Sequence, residues 1–229
     1  MKLIQPETLK KWEAVYCKGT DKKYPSIDLL RLNLWFFKNP GQGRVLEYAC
    51  GTGVNTIYLL ECGYTVDAVD ACQGSINLVG GKLAKRPDIS ERATLTRIDP
   101  ESERIPFEDD SFDFLVCVSL LSLLGAKDRV QHILGEFRRV VKPGGKLILD
   151  INDSNSDFSG VHEYVGDNVY LFRGNDGKDE PVPTYCLPDL ETFAAVVEPY
   201  FTIADKGWSG HEYMGSRINE WIVCCKNDK

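Results

Sequence analysis

Several features are scarce in this chain of 229 residues, and each scarcity removes a class of protein. Histidine occurs three times, as His132, His162 and His211, at unrelated spacings, so a histidine-rich metal site is not expected. The eight cysteines form no C-x-x-C pair, which argues against a zinc ribbon or a thioredoxin-type motif. Cys50, Cys117, Cys224 and Cys225 lie in or beside apolar runs, where a free thiol acts as a small hydrophobe. Reduced structural thiols are therefore expected. No apolar stretch reaches the roughly 18 residues of a membrane helix. The opening residues, MKLIQPETLKKW, hold no apolar signal core, which points to a cytoplasmic protein. Positive charge is also short, with 27 Lys+Arg against 34 Asp+Glu and a net charge of −7. The imbalance is local: residues 1–149 hold 21 Lys+Arg and 19 Asp+Glu (+2), whereas residues 150–229 hold 6 and 15 (−9). A nucleic-acid binder needs cations to displace phosphate counterions, so DNA and RNA are disfavoured as partners.

What remains is an ordinary globular composition, 43% hydrophobic and 27% charged. Leu9, Trp12 and Val15 recur at helical spacing within 6–16. Pro25–Phe37 shows a broad apolar face behind a proline at a helix-entry position. Asn39-Pro-Gly-Gln-Gly43 then predicts a turn. From Arg44 the pattern changes. Apolar runs at 45–49, 64–71, 93–98, 112–119 and 146–151 predict strands. Helices are predicted between them at 56–62, 73–85 (broken by Gly80-Gly81) and 128–141, with a tight turn at Pro143-Gly-Gly145. Strands alternating with helices in this way form a parallel sheet with helices on both faces. Residues 152–186, rich in Asp, Asn, Gly and Ser, are predicted as loop, with Gly174-Asn-Asp-Gly177 a hairpin or a mobile lid. A helix over 189–197 precedes two extended runs, 201–213 and 218–226, turned back at Met214-Gly-Ser-Arg217. No linker divides the chain. One α/β domain is expected over 1–229, with a helical cap (1–43), a core (44–151) and a C-terminal part (152–229).

The chemistry concentrates in Glu47-Tyr-Ala-Cys-Gly51-Thr-Gly53, which follows a strand and opens a helix. Glycine there permits a sharp turn and close ligand approach. Ligands of open parallel sheets sit beyond the carboxyl ends of the strands. A dinucleotide fingerprint would place a third glycine at position 56, which is Thr. Glu47 before the glycines would repel a pyrophosphate but favour an ammonium. No phosphate-binding G-x-x-x-x-G-K-[ST] loop occurs either. The pocket therefore reads as one for a nucleoside with an amino-acid tail. Asp70 closes the second strand and is placed either to accept ribose hydroxyls or to cap the next helix. Asp67, on the opposite strand face, is expected at solvent or bound to a neighbour. Asp99 ends the third strand and is either an acceptor for an adenine amine, with the ring near Ile98 or Pro100, or a loop carboxylate.

Taken together, Val45-Leu-Glu-Tyr-Ala-Cys-Gly-Thr-Gly53, Val69-Asp70, Asp99 with Ile105-Pro-Phe-Glu-Asp-Asp-Ser-Phe-Asp-Phe114, and Val141-Lys-Pro-Gly-Gly-Lys-Leu147 resemble the class I S-adenosylmethionine-dependent methyltransferases. The likeness covers about 44–151. It implies an α/β, Rossmann-like seven-stranded, mostly parallel sheet of order 3-2-1-4-5-7-6, with strand 7 antiparallel. It implies S-adenosylmethionine as cofactor, its methionine end lined by Glu47, Gly51 and Gly53. Asp70, beside Ala71, would hold the ribose, Asp99, beside Pro100, the adenine amine, and Ser119 would lie near the sulfonium. Ala49 stands where many members have glycine, and a minor backbone adjustment is expected there. Trp12, Tyr16 and Tyr24-Pro-Ser26 with Arg31 look like the start of bacterial small-molecule or surface-glycan-pathway methyltransferases. In these the N-terminal helix closes over the cofactor. Tyr24 and Arg31 could then reach its carboxylate, or Arg31 could simply be solvated on an amphipathic helix.

Methyl transfer from a sulfonium is an in-line displacement, so positioning is the protein's main task. A base is needed only where the acceptor must lose a proton. His162 and His211 are the catalytic candidates, with Asp150 and Asn152 at the end of strand five. The −9 charge of the last third suits a small neutral or cationic acceptor, methylated on N or O, rather than a polyanion. No Asn/Asp-Pro-Pro-Tyr/Phe motif follows strand four, where Ser119-Leu-Leu-Ser122 stands, so DNA-base amines are disfavoured. A protein or RNA acceptor with a partner subunit, or a catalytically silent cofactor binder, is the alternative. No membrane partner is expected, and a monomer or homodimer fits.

Overall fold

The structure, a computed structural model, describes residues 3–38, 41–156, 162–173, 180–214 and 216–229. The predicted turn at 39–43 and that at 214–217 lie partly outside these residues, and Gly174-Asn-Asp-Gly177 lies wholly outside them.

Two helices open the chain, α1 (Pro6–Cys17) and α2 (Ile27–Leu32). Ser26 caps α2 by accepting the Leu29 N–H, and the helix widens into a π-helical turn over Asn33–Phe37. The alternating part follows as β1 (Arg44–Tyr48), α3 (Val54–Glu61), β2 (Thr65–Asp70), α4 (Gln73–Leu83), α5 (Pro87–Ser90), β3 (Ala93–Arg97), β4 (Phe112–Cys117), α6 (Lys127–Val140) and β5 (Val141–Asn152). A short 3-10 helix, Leu121–Leu124, leads from β4 toward α6. The chain continues through β6 (His162–Gly166), β7 (Val169–Phe172), β8 (Val182–Tyr185), α7 (Leu190–Val197), β9 (Thr202–Tyr213) and β10 (Ser216–Lys226).

Seven strands form one sheet in the order β3-β2-β1-β4-β5-β10-β9. The first five run parallel, and β10 is antiparallel to both neighbours. With β9 and β10 as sixth and seventh strands, this is the sheet order and direction implied by the resemblance. The central strands read as near-continuous apolar runs because both faces are covered. One face packs Leu46, Leu115, Leu147 and Leu149 against α6 and α7. The other packs Val45, Val66, Val116 and Ile148 against α2, α3 and α4. On α6, Val130, Ile133, Leu134, Phe137 and Val140 bury one stripe. Phe137 is fully buried and meets Tyr48 edge-on at 5.1 Å. Truncating it to alanine would cost about 3–5 kcal/mol.

Three local expectations change. Residues 152–186, expected as loop, contain a second sheet of order β6-β7-β8. Its first hairpin turns at Asp167-Asn168, both at positive φ (52° and 61°) as a two-residue turn that matches strand twist requires. Pro143-Gly-Gly145 does not precede the fifth strand but lies inside β5, where the β4 register shifts between Phe112 and Phe114. Gly80-Gly81 does not break α4, since each glycine costs an exposed helix only about 1 kcal/mol. Among the described residues no helix is long and apolar enough to cross a membrane.

Candidate functional site

A cavity of about 330 Å³ opens at the carboxyl edge of the sheet, above β1, β2 and β4. Its floor is the turn from β1 to α3. This turn reverses direction within a few residues, and Ala49, Gly51 and Gly53 all sit in the left-handed region (φ 65°, 55° and 72°). A Cβ on Gly51 would stand 3.0 Å from the Tyr16 hydroxyl, and one on Gly53 would stand 2.6 Å from Val79 Cγ2. Both glycines are thus required by backbone and by space. Ala49 keeps the left-handed backbone with a side chain.

Asp70 ends β2 on the cavity wall, nearly buried. Its Oδ2 accepts the Gly51 N–H and its Oδ1 the Cys72 N–H, both at 2.9 Å. The carboxyl thus pins the glycine turn and the start of α4 together while standing on the cavity wall. Burial raises its pKa above the ordinary value, and the two backbone bonds oppose that rise. Glu47 lies behind the wall, fully buried, and accepts the Thr56 hydroxyl hydrogen. Burial lifts its pKa to about 8; the Thr56 bond opposes this and the neighbouring Asp70 charge adds to it. Thr56 thus occupies the third-glycine position with a partner for Glu47.

The roof is α1. Its Leu9, Trp12, Val15 and Tyr16 face the cavity. Glu13 Oε1 accepts the Gly74 N–H at 3.0 Å, which docks α1 on the first turn of α4. On its other flank, Gln5 Nε2 donates to the Leu124 carbonyl at 2.9 Å and the Thr8 hydroxyl to Leu123 at 3.2 Å. Lys82 Nζ donates to the Thr52 carbonyl (2.7 Å) and pairs with Asp21 (2.5 Å), fastening the segment after α1 to the glycine turn.

Tyr24, Ala49, Gly51, Asp70, Ala71, Pro100 and Ser119 all line this cavity. Glu47 and Gly53 support the wall from behind. Asp99 is exposed just outside; its Oδ1 accepts the Glu101 N–H at 2.9 Å, while its neighbours Ile98 and Pro100 reach the wall. Arg31 is exposed on the last turn of α2 and is not part of the wall. His162 lies exposed on β6 with its ring 5.9 Å from Tyr170, and His211 lies exposed on β9; neither lines the cavity. Asp67 is buried and holds Arg44 through two bonds of 2.7 and 2.9 Å. Trp12, Tyr16, Leu120 and Leu124 were not among the candidate site residues but line the cavity. The apolar face of α1 is visible in the sequence, and that it closes over the site is implied there only by the resemblance.

Beyond Ser119 stands a buried carboxyl, Asp150, at the end of β5, with Glu220 of β10 and Asp28 of α2 close enough to raise its pKa further after burial has done so. Burial, then Asp28, also raises the pKa of Glu220, while Lys22 and His211 pull it down. Among the described residues no cluster of three His, Cys, Asp or Glu could hold a metal ion. All eight thiols are free.

Residues 46–149 match the family model described as a methyltransferase domain. A demethylmenaquinone methyltransferase from Renibacterium salmoninarum is 36% identical over 177 residues, covering 76% of this chain and 69% of that protein. A glycine/sarcosine N-methyltransferase from Aphanothece halophytica is 32% identical over 63% of this chain and 52% of that protein. Among solved structures, the 1,6-didemethyltoxoflavin-N1-methyltransferase of Burkholderia thailandensis, with S-adenosylhomocysteine bound, shares the fold. Its TM-score is 0.70 at 17% identity, over 96% of this chain and 87% of that one. The chain belongs to the class I S-adenosylmethionine-dependent methyltransferases. It is an enzyme of that class, and S-adenosylmethionine is its cofactor.

The cavity fits that cofactor by its own chemistry. Its volume lies in the range of small-molecule sites. Asp70 and Lys22 are the charged side chains among its lining residues, so no cluster of cations is present to hold a pyrophosphate. Apolar side chains from α1 and from 120–124 suit a flat ring.

Proposed function

We propose that the enzyme methylates a nitrogen or oxygen of a small acceptor that is neutral or cationic. The observation that carries this reading is the lining of the cavity: it is largely apolar, with Asp70 and Lys22 as the charged side chains among its described lining residues and no cluster of cations there. Such a wall suits a small acceptor without multiple negative charges, in a chain whose last third is itself −9. The enclosed cavity supports a small molecule over a macromolecule. The matched relatives are named for small molecules, demethylmenaquinone and glycine/sarcosine, which supports the small-acceptor part of the reading.

In this reading Asp70 accepts the ribose hydroxyls and the adenine lies between Ala71 and Pro100, with Asp99 at the rim for its amine. Gly51 and Gly53 let the backbone approach the amino-acid tail, and Glu47 lies behind the turn, where an arriving ammonium favours its ionised form. Tyr24 closes the mouth. When bound, the cofactor supplies a methyl group already activated on sulfur. The chain's task is then to hold the acceptor atom roughly 3–3.5 Å from that methyl, in line, with water excluded by α1. Arg31, His162 and His211 carry no role in this scheme.

Methyl transfer to a panel of neutral, cationic and anionic small acceptors tests the reading. Transfer is expected to favour cationic and neutral members, and a preference for polyanions would overturn it.

A further inference from the structure

The turn after β4 carries a requirement that its own residues do not meet. Ser119 sits at φ 59°, in the left-handed region that non-glycine residues avoid. The same turn supplies Val118, Ser119, Leu120, Leu123 and Leu124 to the cavity wall. Its shape is therefore part of the site, and something must hold it.

The end of β5 does so at two points. Asp150 Oδ1 accepts the Ser119 N–H at 2.6 Å. Two residues on, the Asn152 N–H donates to Ser122 Oγ at 2.9 Å. The sheet puts these partners together: Cys117 pairs with Leu149, so Asp150 lies one step beyond the last paired residue, beside the departing chain. Asp150 is 5% exposed and is not a lining residue, so it reaches the cavity only through Ser119. Burial beside Glu220 and Asp28 is unfavourable for its charge. A carboxyl in that place is poorly suited to stabilising the fold but well suited to accepting a backbone N–H.

We propose that Asp150 is a positioning residue for cofactor binding: through the Ser119 N–H it holds the turn after β4 in the left-handed conformation that shapes the cavity wall. The inference rests on the cofactor alone and does not depend on which acceptor is used.

A double-mutant cycle tests it, read by calorimetry with S-adenosylhomocysteine on the full chain. Glycine adopts the left-handed region without help, so Ser119→Gly removes the need for a tether. Asp150→Ala is expected to weaken binding about tenfold or more when residue 119 is Ser, and less than threefold in the Ser119→Gly background. A general loss of structure would weaken both backgrounds alike, and that result would overturn the proposal, as would no loss in either. Asp150→Asn keeps a carbonyl acceptor and is expected to stay within threefold of the unmodified protein; a loss as large as that of Asp150→Ala counts against the bond. If Asp150→Ala does not fold, hydrogen exchange on the unmodified, ligand-free protein decides. The Ser119 amide is then expected to exchange slowly, and exchange at the rate of an open loop would overturn the assignment.

Discussion

Two turns leave the sheet at its carboxyl edge to build the cavity, and they reach the same kind of backbone by different means. The turn after β1 takes Gly51 and Gly53 into the left-handed region, where glycine adopts it without steric penalty. The turn after β4 places Ser119 there and secures it with a buried carboxyl from the neighbouring strand. The first obtains its backbone freedom from glycines visible in the sequence, although Asp70 of β2, 19 positions on, also accepts the Gly51 N–H. The second joins residues 31 positions apart and exists only once β4 and β5 have paired. Intrinsic backbone freedom tolerates changes in the surroundings, whereas a tether fails when its far end is changed.

The contrast can be broken first at Gly53. Gly53→Ala adds a Cβ 2.6 Å from Val79 Cγ2 at φ 72°. The expected loss is about 3 kcal/mol of unfolding free energy, read in a denaturant titration. A loss below about 1 kcal/mol would mean that the glycine turn has slack.

Glu47 asks whether the first turn also depends on a buried carboxyl. With its pKa raised from 4.5 to about 8 in the folded chain, the native state keeps a proton that the unfolded chain has lost between those values. Its contribution to stability is thus fully present below about pH 4.5, falls as pH rises towards about 8, and is flat above. The unfolding free energy measured across that window should fall with a steeper slope in the unmodified apo-protein than in Glu47→Gln, by a total of about 2–3 kcal/mol after discounting for relaxation. Equal slopes would place the titration elsewhere.

Asp70 sharpens the comparison from the side of the ligand. Asp70→Ala leaves the Gly51 and Cys72 N–H groups without their acceptor and removes the proposed ribose contact. S-adenosylhomocysteine affinity should drop about 30-fold, or about 2 kcal/mol. An unchanged affinity would refute the ribose role.

The smallest effect is expected at Ala49, the one member of the first turn that holds a left-handed backbone with a side chain (φ 65°). Ala49→Gly should raise stability by about 0.5–1 kcal/mol, seen as a small increase in Tm. A decrease would show that the alanine methyl packs well enough to offset its backbone strain.

This contrast also explains what could be read beforehand. The parallel core was legible because its strands are short apolar runs punctuated by Gly51, Gly53 and Gly63, and Asp70 stood out by its place at a strand end. The small sheet was missed because Asp167-Asn168, a two-residue hairpin turn, lies in a stretch whose Asp, Asn and Gly content reads as loop. The covering role of α1 was implied only by resemblance, since Glu13 finds Gly74 61 positions away. Asp150 was noticed as a strand-end carboxylate, but periodicity cannot show that its partner is a backbone N–H.

The roof helix has one further consequence, an optical one. Trp12 forms part of the cavity wall, with its ring 5.9 Å from that of Tyr16. Trp35 and Trp208 are 67% and 66% exposed and already emit from water, and Trp221 is fixed by its indole N–H to the Leu187 carbonyl. A ligand entering the cavity changes the surroundings of Trp12 alone, so intrinsic fluorescence reports occupancy without any label.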